Sequence, residues 1–372
     1  MAENNIIHKI ALSMLKGMNA EIIRHISDCG ITPEEFFALE APALADALKM
    51  PRINMLERMN RDEAIFKARK EKEVMDRHNI RGSFLLDDDF PVRLLHIADP
   101  PVMLYQLGHT DLDGLHIANV VGTRRPSPYG LDFAEKLIED LSAYFPDLII
   151  VSGLAFGIDA AAHKASIKAE RETVAVVAHG LNMIYPAAHR DLARMILKTG
   201  GSIVTEYPFG EKPFRQRFLE RNRIVAALAD ITIVIESDIK GGAMSTANTA
   251  FSYSRDVAAL PGRISDRLSS GCNHLIRKEK AHLIGCAADV IEITGWKPLD
   301  KQVAPVQRNL FPELDGDPRL IYDTLRFSME PMQADSIHTQ TLIPMPRLMS
   351  ALGEMEFDGI IIRHPGNRFS IA

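Results

Sequence analysis

The chain has 372 residues, 46% apolar and 25% charged, with a net charge of −6, which suits an ordinary folded protein of two or three domains and argues against a surface that is basic throughout. No apolar run is long enough to cross a bilayer, and the opening MAENNIIHKIALSML lacks the basic start, apolar core and cleavage site of a signal peptide, so a cytoplasmic protein with no membrane partner is expected. Cys29, Cys272 and Cys286 are too few and too scattered for a disulfide framework or a zinc site, which points to a reducing compartment and no metal.

Residues 1 to about 60 read as short helices. LSMLKGMNAEIIRHI and EFFALEAPALADALKM have helical apolar spacing, and Thr32 before Pro33 is a capped helix start. Lys16-Gly17-Met18-Asn19, followed by Ile22, Ile23 and Ile26, looks like a helix-hairpin-helix with Asn19 in place of its second glycine. Asn adopts the left-handed conformation more readily than most residues, so the expected turn survives that exchange. With six cations and eight anions in residues 1–60, DNA binding and a packing or partner-contact bundle are both open there. A charged helical stretch, ERMNRDEAIFKARKEKEVMDRHNI, then leads to a turn at Asp87-Asp88-Asp89-Phe90-Pro91.

The central region alternates short apolar runs with helical patterns. The runs lie at 117–122, 148–153, 173–180, 202–206, 231–236 and 256–262. Buried-strand length and polar or glycine ends predict βαβ units and a mostly parallel sheet, which binds ligands at the carboxyl ends of its strands. After Trp296 a polar stretch with three prolines before Asp317 reads as a linker over 296–316. Residues 317–372 then show helical patterns at RLIYDTLRF, QADSIHTQ and PRLMSALGEMEFDG. Two short strands follow, joined at Pro365-Gly366-Asn367, an order that suggests a winged helix. Five arginines against seven acids there favour protein contact over DNA contact.

Four segments could carry the chemistry. In VVGTRRPSPYG (120–130) a strand ends at Gly122 and a helix starts near Tyr129, with Pro128 where helices accept it. The backbone N–H groups of Gly122 and Thr123 are expected to face the crevice and hold a phosphate, with Arg124 adding a bidentate contact. It is neither a G-x-G-x-x-G nor a Walker loop, and no cofactor is expected. Ser152 to Asp159 is again strand, turn and helix. Ser152, His163 and Asp159 could suggest a catalytic triad, but there is no G-x-S-x-G elbow and Asp159 is more simply a helix cap. Lys240-Gly241-Gly242-Ala243-Met244-Ser245-Thr246 opens a further helix after the run ITIVIE. The fourth segment, KPFRQRFLERNR (212–223), carries five cations against Glu220, a net of +4 in an acidic chain. Several helix N-termini meeting arginines at one sheet edge suit repeated phosphates, a polynucleotide or a dinucleotide. Phe218 could stack on an unpaired base or fill a core.

Taken in order, GTRRPSPYG, SGLAFGIDAAAH, GLNMIYPAAHR, TEYPFG, FLERNRIVAALAD, VIESDIKGGAMSTA and LPGRISDRLSSGCNHLI, across most of residues 117–285, resemble the DNA-processing protein A family. The flanking units are similar to that family's N-terminal helical domain (SAM or helix-hairpin-helix-like) and C-terminal winged helix. The resemblance implies domains at 1–68, 80–295 and 317–372. It also implies a Rossmann-like core that dimerises, binds single-stranded DNA and delivers it to the recombinase RecA during natural transformation. Carried over, the DNA pocket falls on Gly122, Thr123, Arg124, Ser152, Gly153, Arg215, Phe218, Arg221, Asn222, Arg223, Lys240, Gly241 and Gly242. This chain departs from the family in having Leu219 after Phe218, a shifted glycine motif at Lys240-Gly241-Gly242, and Ala187-Ala188-His189 after the Tyr-Pro pair.

The rival function is hydrolysis, because the core also resembles nucleoside-monophosphate phosphoribohydrolases, which place a catalytic glutamate shortly after a glycine-glycine motif. No glutamate stands between Glu236 and Glu279, and Ser245-Thr246-Ala247-Asn248-Thr249 offers no carboxylate. Catalytic residues are therefore not expected.

Overall fold

The computed structural model describes residues 2–49, 59–297, 314–326, 328, 331–357, 360–364 and 367–371. Most of the expected linker (298–313) and Pro365-Gly366 of the expected C-terminal turn lie outside them. The chain divides into two compact units, Met1–Leu299 and Asp300–Ala372.

The first unit opens with α1 (Ala2–Met14), α2 (Ala20–Asp28), α3 (Pro33–Ala38), α4 (Ala41–Ala47) and α5 (Arg61–His78). Thr32 caps α3 as expected: its hydroxyl accepts from Glu35 N, and the Glu35 carboxylate takes Thr32 N in return. Asn19 behaves differently from the expectation. Its backbone is extended (φ −144°), and it serves as N-cap of α2, its side chain accepting from Ile22 N, while Gly17 takes the left-handed turn at φ +90°. Capping, rather than tolerance of positive φ, therefore accounts for Asn at this position.

Next come β1 (Arg81–Phe84), the single turn α6 (Val92–Leu95), β2 (Met103–Gly108), β3 (His116–Gly122), α7 (Pro128–Tyr144), β4 (Leu148–Ser152), α8 (Ile158–Lys168) and β5 (Thr173–Val176). The unit continues with α9 (Arg190–Lys198), β6 (Ser202–Thr205), α10 (Arg215–Leu228), β7 (Ile231–Ile235), α11 (Gly242–Ser252), β8 (Asp256–Ala259), α12 (Ser270–Arg277), β9 (His282–Leu283) and α13 (Ala287–Thr294). The strands form a sheet in the order β1-β2-β6-β5-β4-β3-β7-β8-β9. The pairs β1–β2 and β2–β6 are antiparallel and the other pairs are parallel. All six apolar runs of the central region are strands. β1, β2 and β9, which lie toward the sheet's two ends, were not among the expected strands, although the apolar run Val102-Met103-Leu104-Tyr105 leads into β2.

Period-two alternation sends successive strand side chains to opposite faces. Ile233 and Ile235 pack with Ile138 and Leu141 of α7 and with Ile158 of α8. On the other face Val151, Val176, Val204 and Val234 share one cluster with Ile224 and Leu228 of α10. That cluster also takes in Ile10, Leu12, Ile23, Phe36 and Leu44 of the N-terminal helices. Buried Glu71 of α5 adds a polar tie, accepting from Phe209 N at 2.9 Å. Helices on both faces of a mostly parallel sheet make this a Rossmann-like core, with the N-terminal helices packed onto one face.

The second unit runs α14 (Asp317–Arg326), β10 (Met332–Gln333), α15 (Ala334–Thr341), α16 (Met345–Phe357), β11 (Ile361–His364) and β12 (Arg368–Ile371). Its sheet order is β10-β12-β11, and its core holds Ile321, Leu325, Ile337, Leu348, Leu352 and Phe369. This is the expected order of helices before a hairpin; only β10, two residues long, was not legible.

Because the N-terminal helices share the sheet's core, Ile10→Ala should destabilise the whole first unit by about 2–5 kcal/mol. In calorimetry its transition should move down as one. A separate early melting of α1–α5 would contradict the shared core.

Candidate nucleic-acid interface

From β3 the chain steps through β4 and β5 to β6 on one side, then crosses to β7, β8 and β9 on the other. The carboxyl ends of β3 and β7 therefore feed helices that leave in opposite directions, which opens a crevice between them. A cleft of about 360 Å³ lies there. It is lined by Val121 to Arg124 at the end of β3, by Gly153 and Ala155 after β4, by Phe218, Leu219, Arg221, Asn222 and Val225 of α10, and by Ser237, Asp238, Gly241, Gly242, Ala243 and Thr246 after β7.

The turn after β3 does not hold its anion site open as expected. Gly122 is a ladder residue paired with Ile235, and Thr123 N donates to Glu236 O at 2.7 Å. The start of α7 is already filled by an internal anion. Glu236, 5% exposed, has one carboxylate oxygen 2.8 Å from Ser127 N, and the other accepts from the Ser127 hydroxyl. Gly130 makes room for that carboxylate, since a Cβ there would lie 2.6 Å from Glu236 Oε2. The carboxylate takes the place a phosphate would take at a helix N-terminus, for the same electrostatic reason. What the turn does offer the cleft is Arg124, exposed and with no ion pair or hydrogen bond among the described residues. The first-turn N–H groups of α11, at Gly242 and Ala243, are the open helix terminus on the cleft.

α10 begins at Arg215, so Phe218 to Arg223 lie within a helix. Phe218, Arg221, Asn222 and Val225 follow helical spacing and line the cleft. Arg223, two positions beyond Arg221, points elsewhere. It pairs with Glu206 and lies 3.5 Å from Asp99 in a different cavity. Arg217 pairs with Glu211 at 2.6 Å and lies over the rings of Tyr207 and Phe214. Arg221 is 4% exposed and donates to the carbonyls of Gly153 (2.8 Å) and Val176. Of the five cations, only Lys212 and Arg215 are exposed without an ion pair among the described residues. The +4 stretch is therefore not one phosphate-facing stripe: its carbonyl and carboxylate partners come from β4, β5 and β6.

Burial pushes the Arg221 guanidinium down to about 10, opposed by the charge of Asp159, and pushes the Asp159 carboxyl up, opposed by Arg221. Asp159 sits in the first turn of α8 and accepts from Ala155 N at 3.2 Å. Ser152 is fully buried, its hydroxyl donating to Val120 O at 2.7 Å. His163, equally buried, bonds Thr173 Oγ1 at 2.7 Å. Ser152 and His163 are thus partnered elsewhere and form no triad with Asp159.

The cleft brings together Gly122, Thr123, Arg124, Gly153, Phe218, Arg221, Asn222, Gly241 and Gly242. Ser152 is sealed beneath it, Arg223 faces another cavity, and Arg215 and Lys240 are exposed outside the lining. Sequence reasoning missed Asp238 and Arg267, which line the cleft and pair at 3.2 Å across its mouth. A signal existed: Arg267 lies in LPGRISDRLSS and Asp238 in VIESD, both already part of the family resemblance.

Over residues 82–295 the sequence matches the family described as DNA recombination-mediator protein A. The chain belongs to that family. Residues 308–367 match the DprA winged helix domain, in accord with the helices and hairpin of the second unit. The X-ray structure of DNA processing protein A from Streptococcus pneumoniae is 34% identical and covers 78% of this chain and 97% of that one, with a TM-score of 0.63. A structure of the Helicobacter pylori protein, described for its single-stranded DNA binding mode, is 32% identical and covers 57% and 94%, with a TM-score of 0.51. Protein Smf of Escherichia coli is 32% identical over 289 residues, 74% of each chain. The match to the DprA-named protein of Mycobacterium tuberculosis, 40% identical over 231 residues, spans 58% of that relative's length.

Two outcomes follow from these partners. Glu236→Ala leaves Ser127 N–H without its acceptor and should lower stability in denaturant titrations by about 1–3 kcal/mol, with Glu236→Gln costing less. No loss in the alanine variant would remove Glu236 as the internal anion. Burial holds the His163 imidazole down at about 3, against an ordinary 6.5. Below that ordinary value the unfolded chain takes up a proton that the folded one refuses, so acid costs stability, by up to about 1.4 kcal/mol per pH unit. His163→Gln should flatten the stability profile between those two values; an unchanged slope would mean the ring is not held neutral.

Proposed function

We propose that the chain binds single-stranded DNA in this cleft, protects it, and delivers it to the recombinase RecA in transformation and recombination, acting as a cytoplasmic homodimer and not as an enzyme. The single observation that carries the DNA reading is the unpaired Arg124 guanidinium in one cleft with Phe218 and the open N-terminus of α11. A cation and backbone donors suit phosphate oxygens, and an aromatic ring suits an unpaired base. Family membership and the Helicobacter pylori relative's described binding mode support the same ligand. The RecA and dimer parts rest on the family alone.

The hydrolase reading finds little support in the cleft's carboxylates. Asp159 is buried and accepts from Ala155 N, Asp238 pairs with Arg267, and Glu236, outside the lining, is turned to Ser127. A base-releasing hydrolase needs a carboxylate free to meet the ribose carbon or a water.

Anisotropy of labelled single strands across a salt series tests the proposal. Arg124→Ala should weaken all base sequences alike and reduce the log–log salt slope by about 0.7, the value per phosphate on a single strand. Arg124→Glu should weaken binding further, and duplex should compete poorly. Salt-insensitive binding, tighter duplex binding, or release of free base from AMP that Arg124→Glu abolishes would overturn it.

A further inference from the structure

Beside the cleft, beyond the turn Leu154–Gly157, lies a second groove of about 530 Å³ between α7 and α8. The two meet at that turn: Ala155 lines the cleft, whereas Phe156 and Gly157 line the groove. Gly157 lies directly against the arginine turn, because a Cβ on it would lie 2.2 Å from Thr123 O and 2.7 Å from Arg124 Cα. Phe156 is therefore one residue from a contact with the backbone of Arg124, yet its side chain is not packed away and the residue is 47% exposed.

Its neighbours extend the same surface. The Phe156 ring meets His189 edge-on at 4.8 Å, and His189 Nδ1 is held 2.9 Å from Leu154 O. Four residues earlier in the same connection, Tyr185 is 50% exposed and packs against Phe218 with ring centroids 5.6 Å apart. Phe218 itself lines the cleft. The groove is lined by Lys164 and Lys168 and by Asp132 and Glu135, of which Glu135 pairs with Lys168, while exposed Lys164 and Arg190, beside His189, carry no ion pair among the described residues. Single exposed aromatics need no explanation, but aromatic rings continuous with a cationic cleft and flanked by unpaired cations have the make-up of a nucleic-acid track.

Building on the single-strand reading above, we propose that the strand does not end in the cleft but crosses the Leu154–Gly157 turn into the α7–α8 groove, where an unpaired base stacks on Phe156. Tyr185 and His189 form the aromatic wall between the two positions, and Lys164 and Arg190 face the backbone phosphates there. The stacking is tolerant of sequence, since every base presents a π-face.

The test uses the full chain and labelled oligothymidylates of about 4 and about 16 nucleotides, the span of single-strand site sizes. Phe156→Ala should weaken the long strand by about fivefold to a hundredfold, the equivalent of one stacked base, and leave the short one within about twofold. Phe156→Trp should retain long-strand affinity, and its emission should be quenched by the long strand and not by the short one. The protein's own tryptophan, Trp296, is 9% exposed in the core beneath α7 and gives a constant background. If Phe156→Ala leaves both strands unchanged, or weakens both equally, or the new tryptophan is unquenched while the long strand binds, the track is wrong. Arg124→Glu separates the two readings. If it weakens both strands while Phe156→Ala weakens neither, the cleft stands and the track falls; if wild type binds neither strand, both fall.

Discussion

The bond between Glu236 and Ser127 fixes the geometry on which the cleft depends. Glu236 follows β7, and its carboxylate accepts from the backbone and hydroxyl of Ser127, the N-cap of α7, the helix that leaves the neighbouring strand β3. One buried side chain thus ties the end of β7 to the start of the helix that follows its ladder partner β3. The negative charge is stabilised by backbone N–H and hydroxyl donors at a helix N-terminus. With that end occupied from within, a ligand phosphate is left with the open start of α11 and with Arg124.

The same economy governs the arginines. Arg221 and Arg223 stand two residues apart on α10, about 200° around the helix, so one faces the cleft and the other a separate cavity. Arg221 is spent on carbonyls at the ends of β4 and β5, and Arg223 on Glu206 at the end of β6. Both hold α10 against the sheet edge, which is what presents Phe218 and Asn222. Their role in the cleft is placement of other groups, while Arg124 alone among the lining arginines is left unpaired within the described residues.

The N-terminal helices show how a unit that is separate in sequence pattern becomes part of a core. Their apolar faces join the sheet's cluster through Ile10, Leu12 and Phe36, and buried Glu71 bonds the Phe209 backbone. The turn between α1 and α2 has a left-handed Gly17, and Asn19 serves there as a side-chain cap. The winged-helix unit, by contrast, has its own closed core around Ile337, Leu352 and Phe369.

By itself the sequence determined the mostly parallel sheet, its six central strands along the chain, the glycine turns, the winged-helix order and the family. Those features are local: a run of buried apolar residues, a turn that needs glycine, a motif in fixed order. Nine of the residues that the family resemblance implies for the DNA pocket line one cleft, at the strand ends where this topology places ligands. Only tertiary structure decided which charges remain free. Ser152 and Arg223 share motifs with Gly153 and Arg221, but helix rotation and burial turn the first two away from the cleft. The net of +4 around Arg221 falls to +1 once Glu211, next to the run, and Glu206 and Asp159, from other elements, are counted. The Gly122 turn, which reads as an open anion site, is closed by the backbone of Ile235 and Glu236, and the helix start beyond it by the Glu236 carboxylate, all more than a hundred residues away in the chain. Charge pairing and cap occupancy depend on distances between distant segments, and a one-dimensional pattern does not carry those distances.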